Sequence, residues 1–145
     1  MAAPSVFTIE AVNALVPRLQ GLMQAQLERR GEIEKLLEQL AKRLGKTPEA
    51  IQDDPADPDD VRDLKRDIIG RVERYHAAWS ELEEMGAVLK DPRTGLVDFY
   101  GRVDGKLVWL CWKYDEEAVT HYHGLDEGFA GRKPIEPVSR RRHLN

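Results

Sequence analysis

Apolar residues at Val12, Leu15, Leu19, Leu22, Leu27, Ile33, Leu36, Leu37, Leu40 and Leu44 recur at steps of three and four. That period is the signature of one stripe on a long amphipathic helix, predicted over 8–44. Thr8 is placed to cap its start and Gly45 to end it. Pro17 lacks the amide hydrogen that the carbonyl four residues earlier needs, so the pattern predicts a kink or a new segment there. The acidic, proline-bearing stretch from Lys46 to Asp57 cannot continue a helix and reads as a loop. A second stripe, Val61, Leu64, Ile68, Val72, Tyr75, Trp79, Leu82 and Met85, predicts another helix over 58–86 that stops at Gly86. Asp57 is its expected cap, with Pro58 in its first turn and Asp59 and Asp60 beside its positive end.

Two such helices joined by a loop are expected to pack antiparallel at a shallow angle. A two-helix layer leaves apolar surface bare, to be covered by the last third of the chain or by a second copy.

The period then changes from about 3.6 to two. Leu96 to Tyr100 and Leu107 to Trp112 are aromatic and β-branched runs that bracket Asp104-Gly105, a strong signal for a two-residue hairpin turn. Pairing Val103 with Lys106 sets Asp98 opposite Cys111, Tyr100 opposite Trp109 and Arg102 opposite Leu107. Val97, Phe99 and Gly101 then share a face with Trp112, Leu110 and Val108, and that face must be core. The other face is mixed, suited to a shallow pocket or to solvent. The segment 115–137 reads as an ordered, loop-rich return over the hairpin. The expected architecture is α+β: a long two-helix hairpin packed with a β-hairpin at 96–112 and that loop, as one domain over 1–137. A basic tail at 138–145 is expected to be flexible.

Charge and cysteine content narrow the class. Against 22 Lys and Arg stand 26 Asp and Glu, a net −4, and the only basic cluster is Arg140-Arg141-Arg142-His143. A nucleic-acid footprint needs clustered positive charge, so nucleic acid is not an expected partner. No apolar run approaches the ~18 residues of a membrane span, and the opening residues lack the basic and apolar regions of a secretory leader, so cytoplasmic residence is expected. Cys111, the single cysteine, has no intrachain partner and sits in an apolar run, which suggests a buried reduced thiol.

Candidate chemistry concentrates in the last third. Asp98, Glu116, His121 and His123 supply two carboxylates and two imidazoles, ligand types for a divalent metal ion such as zinc, manganese or iron. Both histidines serve one side only if their segment is extended. The alternative is a set of hydrogen bonds and ion pairs that pins the loop to the sheet. Arg132, after Gly128-Phe129-Ala130-Gly131, suits a small anion or else an internal partner, Asp98 or Glu116. Glu73 and His76 fit the Glu-x-x-His pattern of di-iron bundles, although Val72, Tyr75 and Trp79 claim the inward face. Cys111 with His121 or His123 lacks an activating turn for nucleophilic catalysis.

The order Gly95-Leu96-Val97-Asp98-Phe99, Leu110-Cys111-Trp112, Glu116, His123, Gly128-Phe129 and Arg132 resembles an uncharacterised bacterial family catalogued as a domain of unknown function, DUF2203. The resemblance extends over most of the chain, including Phe7-Thr8 and the Pro17-bearing helix. It matches at Asp98, Cys111, Trp112, Glu116, His123, Gly128, Phe129 and Arg132, and departs at Tyr122, where the family tends to have tryptophan, and at Asp115, where it tends to have glycine. His121 lies outside the pattern. The resemblance implies no activity. The sequence favours a non-catalytic interaction module, a helical hairpin that forms a homodimer or docks a protein partner. The alternative is a metal-ion or small-anion binding protein, or an enzyme, that uses Asp98, Glu116, His123 and Arg132.

Overall fold

The computed structural model describes residues 5–135. Helix α1 (Ile9–Leu44) is followed by α2 (Asp59–Ala78), the short α3 (Ser80–Met85), and strands β1 (Val88–Asp91), β2 (Leu96–Val103), β3 (Lys106–Lys113), β4 (His121–His123) and β5 (Lys133–Pro134). The chain is therefore mixed helix and sheet. Its residues form two compact units: the chain up to Met23 together with everything from Glu81, and the segment Gln24–Ser80. The predicted tail at 138–145 lies outside the described residues.

Helix α1 starts as expected. The Thr8 hydroxyl accepts the Ala11 amide at 3.1 Å, and Gly45, with φ +76°, ends the helix by donating to Ala41 O. Pro17 lies inside α1 without dividing it. In the helical unit, Leu40, Val61 and Ile68 form a buried cluster flanked by Leu36, Leu44, Ile51, Leu64 and Val72. Cross-helix contacts run in opposite chain order: Gln26 to Tyr75, Glu32 to Arg71, Arg43 to Asp60.

Two expectations about the second helix are corrected. Asp57 does not cap it: Pro58 holds the cap position with no side-chain bond, and Asp57 instead accepts from Lys65 Nζ at 2.5 Å. The predicted 58–86 helix also breaks at Trp79. There the Trp79 amide turns back to His76 O, and Tyr75 O is taken by the side chain of Gln26 at 2.9 Å. The apolar stripe carries on across the break, which hid it. Gly86, at φ +82°, then closes α3, with Ala87 N reaching Leu82 O in a Schellman-type bond.

In the other unit the sheet has five antiparallel strands in the order β1-β2-β3-β4-β5. The predicted hairpin sits at its centre with the expected register, Val103 opposite Lys106 through Asp98 opposite Cys111. Asp104 at φ 52° and Gly105 at φ 80° form the turn, the left-handed pair that matches the twist of the strands. Within the loop-rich segment 115–137 lie two short strands that were not predicted, β4 and β5, and a 3₁₀ turn at Phe129–Gly131. Strand β1, which also went unpredicted, pairs with β2 only as far as Asp98. Beyond it Phe7 takes over that edge and donates to Tyr100 O at 2.7 Å.

The apolar face is core as predicted, with Val97, Phe99, Leu110 and Trp112 fully buried. Buried residues from the first half of α1, among them Val12, Val16, Leu19 and Met23, belong to the same unit. Phe7 meets Phe99 edge to face at 5.1 Å, and Asn13 Oδ1 accepts the Val119 amide at 2.7 Å. The mixed face is neither a shallow pocket nor solvated at its centre. Asp98 is 1% exposed, Cys111 0% and His123 3%. Tyr100 stacks on Trp109 at 4.1 Å and Lys90 Nζ lies 4.7 Å from the Trp109 ring, so an aromatic pair and an ammonium group share this face. Burial raises the pKa of the Asp98 carboxyl, and the Lys90 charge draws it downward.

Candidate functional site

Because side chains alternate along a strand, Asp98 on β2, Cys111 and Trp109 on β3, and His121 and His123 on β4 all point to one side of the sheet. Asp98 is opposite Cys111, while Cys111 is opposite His121 and Trp109 is opposite His123. Asp98 and His123 thus reach over the intervening strand and meet between Cys111 and Trp109. His123 Nε2 lies 2.8 Å from Asp98 Oδ2.

The proton on His123 follows from its other contact. Nδ1 is 3.0 Å from Gly124 O, and a carbonyl can only accept, so Nδ1 carries a hydrogen and donates it. Nε2 and Oδ2 then share one further proton, held as imidazolium against carboxylate or as neutral imidazole against carboxylic acid. Burial pushes the Asp98 carboxyl above its ordinary value, with the nearby His123 charge pulling the other way. Burial likewise pushes the Cys111 thiol up to about 12, reinforced by Asp98 and opposed by Arg132. A thiol held there stays protonated near neutrality and is no nucleophile in that form.

Asp98, Cys111 and His123 each present a ligand atom within 4.8 Å of the other two, the one such group of three among the described residues. Asp98 Oδ1 is buried with no nitrogen or oxygen partner, and the Cys111 thiol is the donor that hydrogen-bonds this carboxyl group.

The predicted constellation of Asp98, Glu116, His121 and His123 falls into two parts. Glu116 belongs to a second cluster, where its Oε2 accepts from Arg132 Nη2 at 2.6 Å and its Oε1 accepts the Lys113 amide at 2.9 Å. Its backbone carbonyl accepts from Trp112 Nε1 at 2.9 Å. His121 Nδ1 is 3.9 Å from Glu116 Oε2, beyond a hydrogen bond, and 2.8 Å from Thr120 Oγ1. The expected internal partner of Arg132 is therefore Glu116 and not Asp98. The Arg132 guanidinium also lies 4.8 Å from the Phe129 ring, with its Nε buried and unpartnered. Sequence reasoning missed Cys111 as a donor, although the hairpin register had already set it opposite Asp98. Glu73 and His76 are both exposed on α2, outside any such group.

No helix among the described residues is long and apolar enough to cross a membrane. No curated protein and no solved structure matches the chain. A family described as an uncharacterized conserved protein, DUF2203, matches residues 5–135, a span that takes in both polar clusters and the helices, and the chain belongs to that family.

Proposed function

We propose that this protein binds a divalent metal ion through Asp98, Cys111 and His123, with zinc the ion that best suits a mixed oxygen, sulfur and nitrogen donor set. The observation that carries the reading is the convergence of a carboxylate oxygen, a thiol and an imidazole within 4.8 Å of one another, all buried, with only the thiol to meet Asp98 Oδ1. A buried carboxylate with so few partners calls for an explanation: in metal-free protein the Cys111 thiol answers it, and a bound ion would replace that proton with a stronger partner. The His123 Nδ1 bond to Gly124 O adds support, since metal-bound histidines commonly donate their second ring hydrogen to a carbonyl, which fixes the ring.

Without metal, the thiol proton and the proton shared by Nε2 and Oδ2 occupy the positions an ion would take. Metal uptake displaces them, so affinity rises with pH, and the ion's charge reverses the electrostatics that keep Cys111 protonated. Three protein donors leave a fourth position for water or a small ligand, the number found in catalytic rather than structural zinc sites. The homodimer and partner-docking reading gains no support from the exposed large apolar side chains. Val6, Leu37, Val88, Leu107, Leu125 and Phe129 are spread along the chain, with only Leu125 and Phe129 sharing a connection, that between β4 and β5.

The test is metal analysis of tag-free protein followed by cobalt(II) titration of the metal-free form. One equivalent should bind, with sulfur-to-cobalt charge-transfer absorption that vanishes in Cys111→Ser. Absence of both zinc and a cobalt spectrum in protein shown to be folded by circular dichroism overturns the reading. Cys111→Ser reports on the site even if Asp98→Ala or His123→Ala fails to fold.

A further inference from the structure

A second feature lies in the helical unit, far in sequence from the sheet cluster. A groove of about 490 Å³ runs between α1 and α2, lined by Arg29, Glu32, Arg71, Arg74, Ala77 and Ala78. Its size is that of small-molecule sites. Three guanidinium groups face one carboxylate there, in a chain whose net charge is −4.

The three arginines differ in what they hold. Arg71 is already answered, by Glu32 at 2.8 Å and Asp67 at 2.9 Å. Arg29 is held by a neutral group: its Nη1 donates to Gln26 Oε1 at 2.7 Å. Gln26 is 1% exposed and cannot turn round, because its Nε2 donates to Tyr75 O, the carbonyl left over by the helix break at Trp79. The amide therefore presents its oxygen to Arg29 and fixes the guanidinium without cancelling its charge. Arg74 makes no hydrogen bond or ion pair among the described residues and runs back along α2 over Gly70. Its Nη1 would lie 3.3 Å from a Cβ placed on that glycine, so the missing side chain makes the room.

A pre-positioned, charge-uncompensated arginine and a second one lining the same groove, with two alanines among its other lining residues, make an arrangement that recognises an oxyanion through paired N–H donors. We propose that this groove binds a small phosphate-bearing molecule, with Arg29 and Arg74 on the phosphate and Ala77 and Ala78 beneath its organic part. The proposal is independent of the metal site. The competing account is that the two arginines answer only the carbonyl end of α2, which carries partial negative charge of its own.

Inorganic pyrophosphate is the probe, titrated into the full-length chain at fixed ionic strength with sodium chloride as the matched control. Nuclear magnetic resonance follows the Arg29 and Arg74 side-chain N–H signals and the Ala77 and Ala78 amides. The expected result is a saturable shift of these signals, weakened about tenfold in Arg29→Met and in Arg74→Met, the loss expected for one charge-assisted hydrogen bond. Shifts that do not saturate, that chloride reproduces, or that persist in the Arg29→Met/Arg74→Met double variant overturn the proposal. All these positions are exposed or helical, and thermal melts establish that each variant is folded.

Discussion

Two clusters on one sheet use nearly the same residue types and differ in their distance from water. Asp98 and His123 have side chains 1% and 3% exposed. Glu116, Arg132 and His121 have 21%, 13% and 32%. In the second cluster, charges meet at the margin of the sheet, with backbone amides and solvent to share the load. In the first, an acid, a thiol and an imidazole are sealed together away from solvent, so a charge there is met by a proton, by an ion or by the more distant Lys90 and Arg132. The contrast shows that ligand-type residues close in sequence are a weaker guide to a site than the depth at which the fold places them.

The largest expected effect is that of removing the buried acid. Asp98→Ala leaves His123 without its partner over β3, and breaking a buried pair on one side typically costs about 3–5 kcal/mol. Urea unfolding of metal-free protein measures it. Asp98→Asn should cost about 1–2 kcal/mol, because its amide can still donate to Nε2 of a neutral ring whose Nδ1 hydrogen goes to Gly124. A loss below about 1 kcal/mol in Asp98→Ala would erase the distinction between the clusters.

Next in size is the marginal cluster. Arg132→Met removes one charge-assisted bond to Glu116 and keeps most of the packing on Phe129, so a loss of about 1.5 kcal/mol is expected. If the clusters are separate, a double-mutant cycle between Asp98→Asn and Arg132→Met should show coupling within about 0.5 kcal/mol. Coupling well above that would mean that the two act as one network through Cys111, which senses both.

These differences bear on what the residues alone revealed. The hairpin register was legible because Asp104-Gly105 admits few turns and because a one-residue slip would move Phe99 and Leu110 out of the core. The start of α1 was legible from Thr8 for equally local reasons. Strands β4 and β5 were not, since three and two residues are too few to display a period. Nor was the break at Trp79, where the freed carbonyl of Tyr75 is taken by a glutamine 49 residues away in sequence. Sealing of the mixed face depended on those hidden strands. Asp98 and His123 could be named from sequence, but their contact across β3 could not, whereas Cys111 was within reach once it stood opposite Asp98.

The smallest effect concerns Cys111 and sharpens the contrast most selectively. In metal-free protein its thiol is pushed from the ordinary 9.0 up to about 12, chiefly by burial. The folded chain then keeps a proton that the unfolded chain releases, so this contribution to stability is complete below pH about 9 and is lost as pH rises from there toward 12. The slope reaches at most about 1.4 kcal/mol per pH unit within that window and is only a fraction of it near its lower edge. Lysines and tyrosines also ionise there, so the readout is the difference between parent and Cys111→Ala, whose stability should fall less steeply with alkali. Arg132→Met, by removing a cation that lowers the thiol's value, should leave Cys111 at least as hard to ionise. A disulfide reagent at pH 8.5 should accordingly label Cys111 only as fast as the chain opens in both proteins. Rapid labelling of the folded parent would mean that the sheet cluster is open to water like its neighbour.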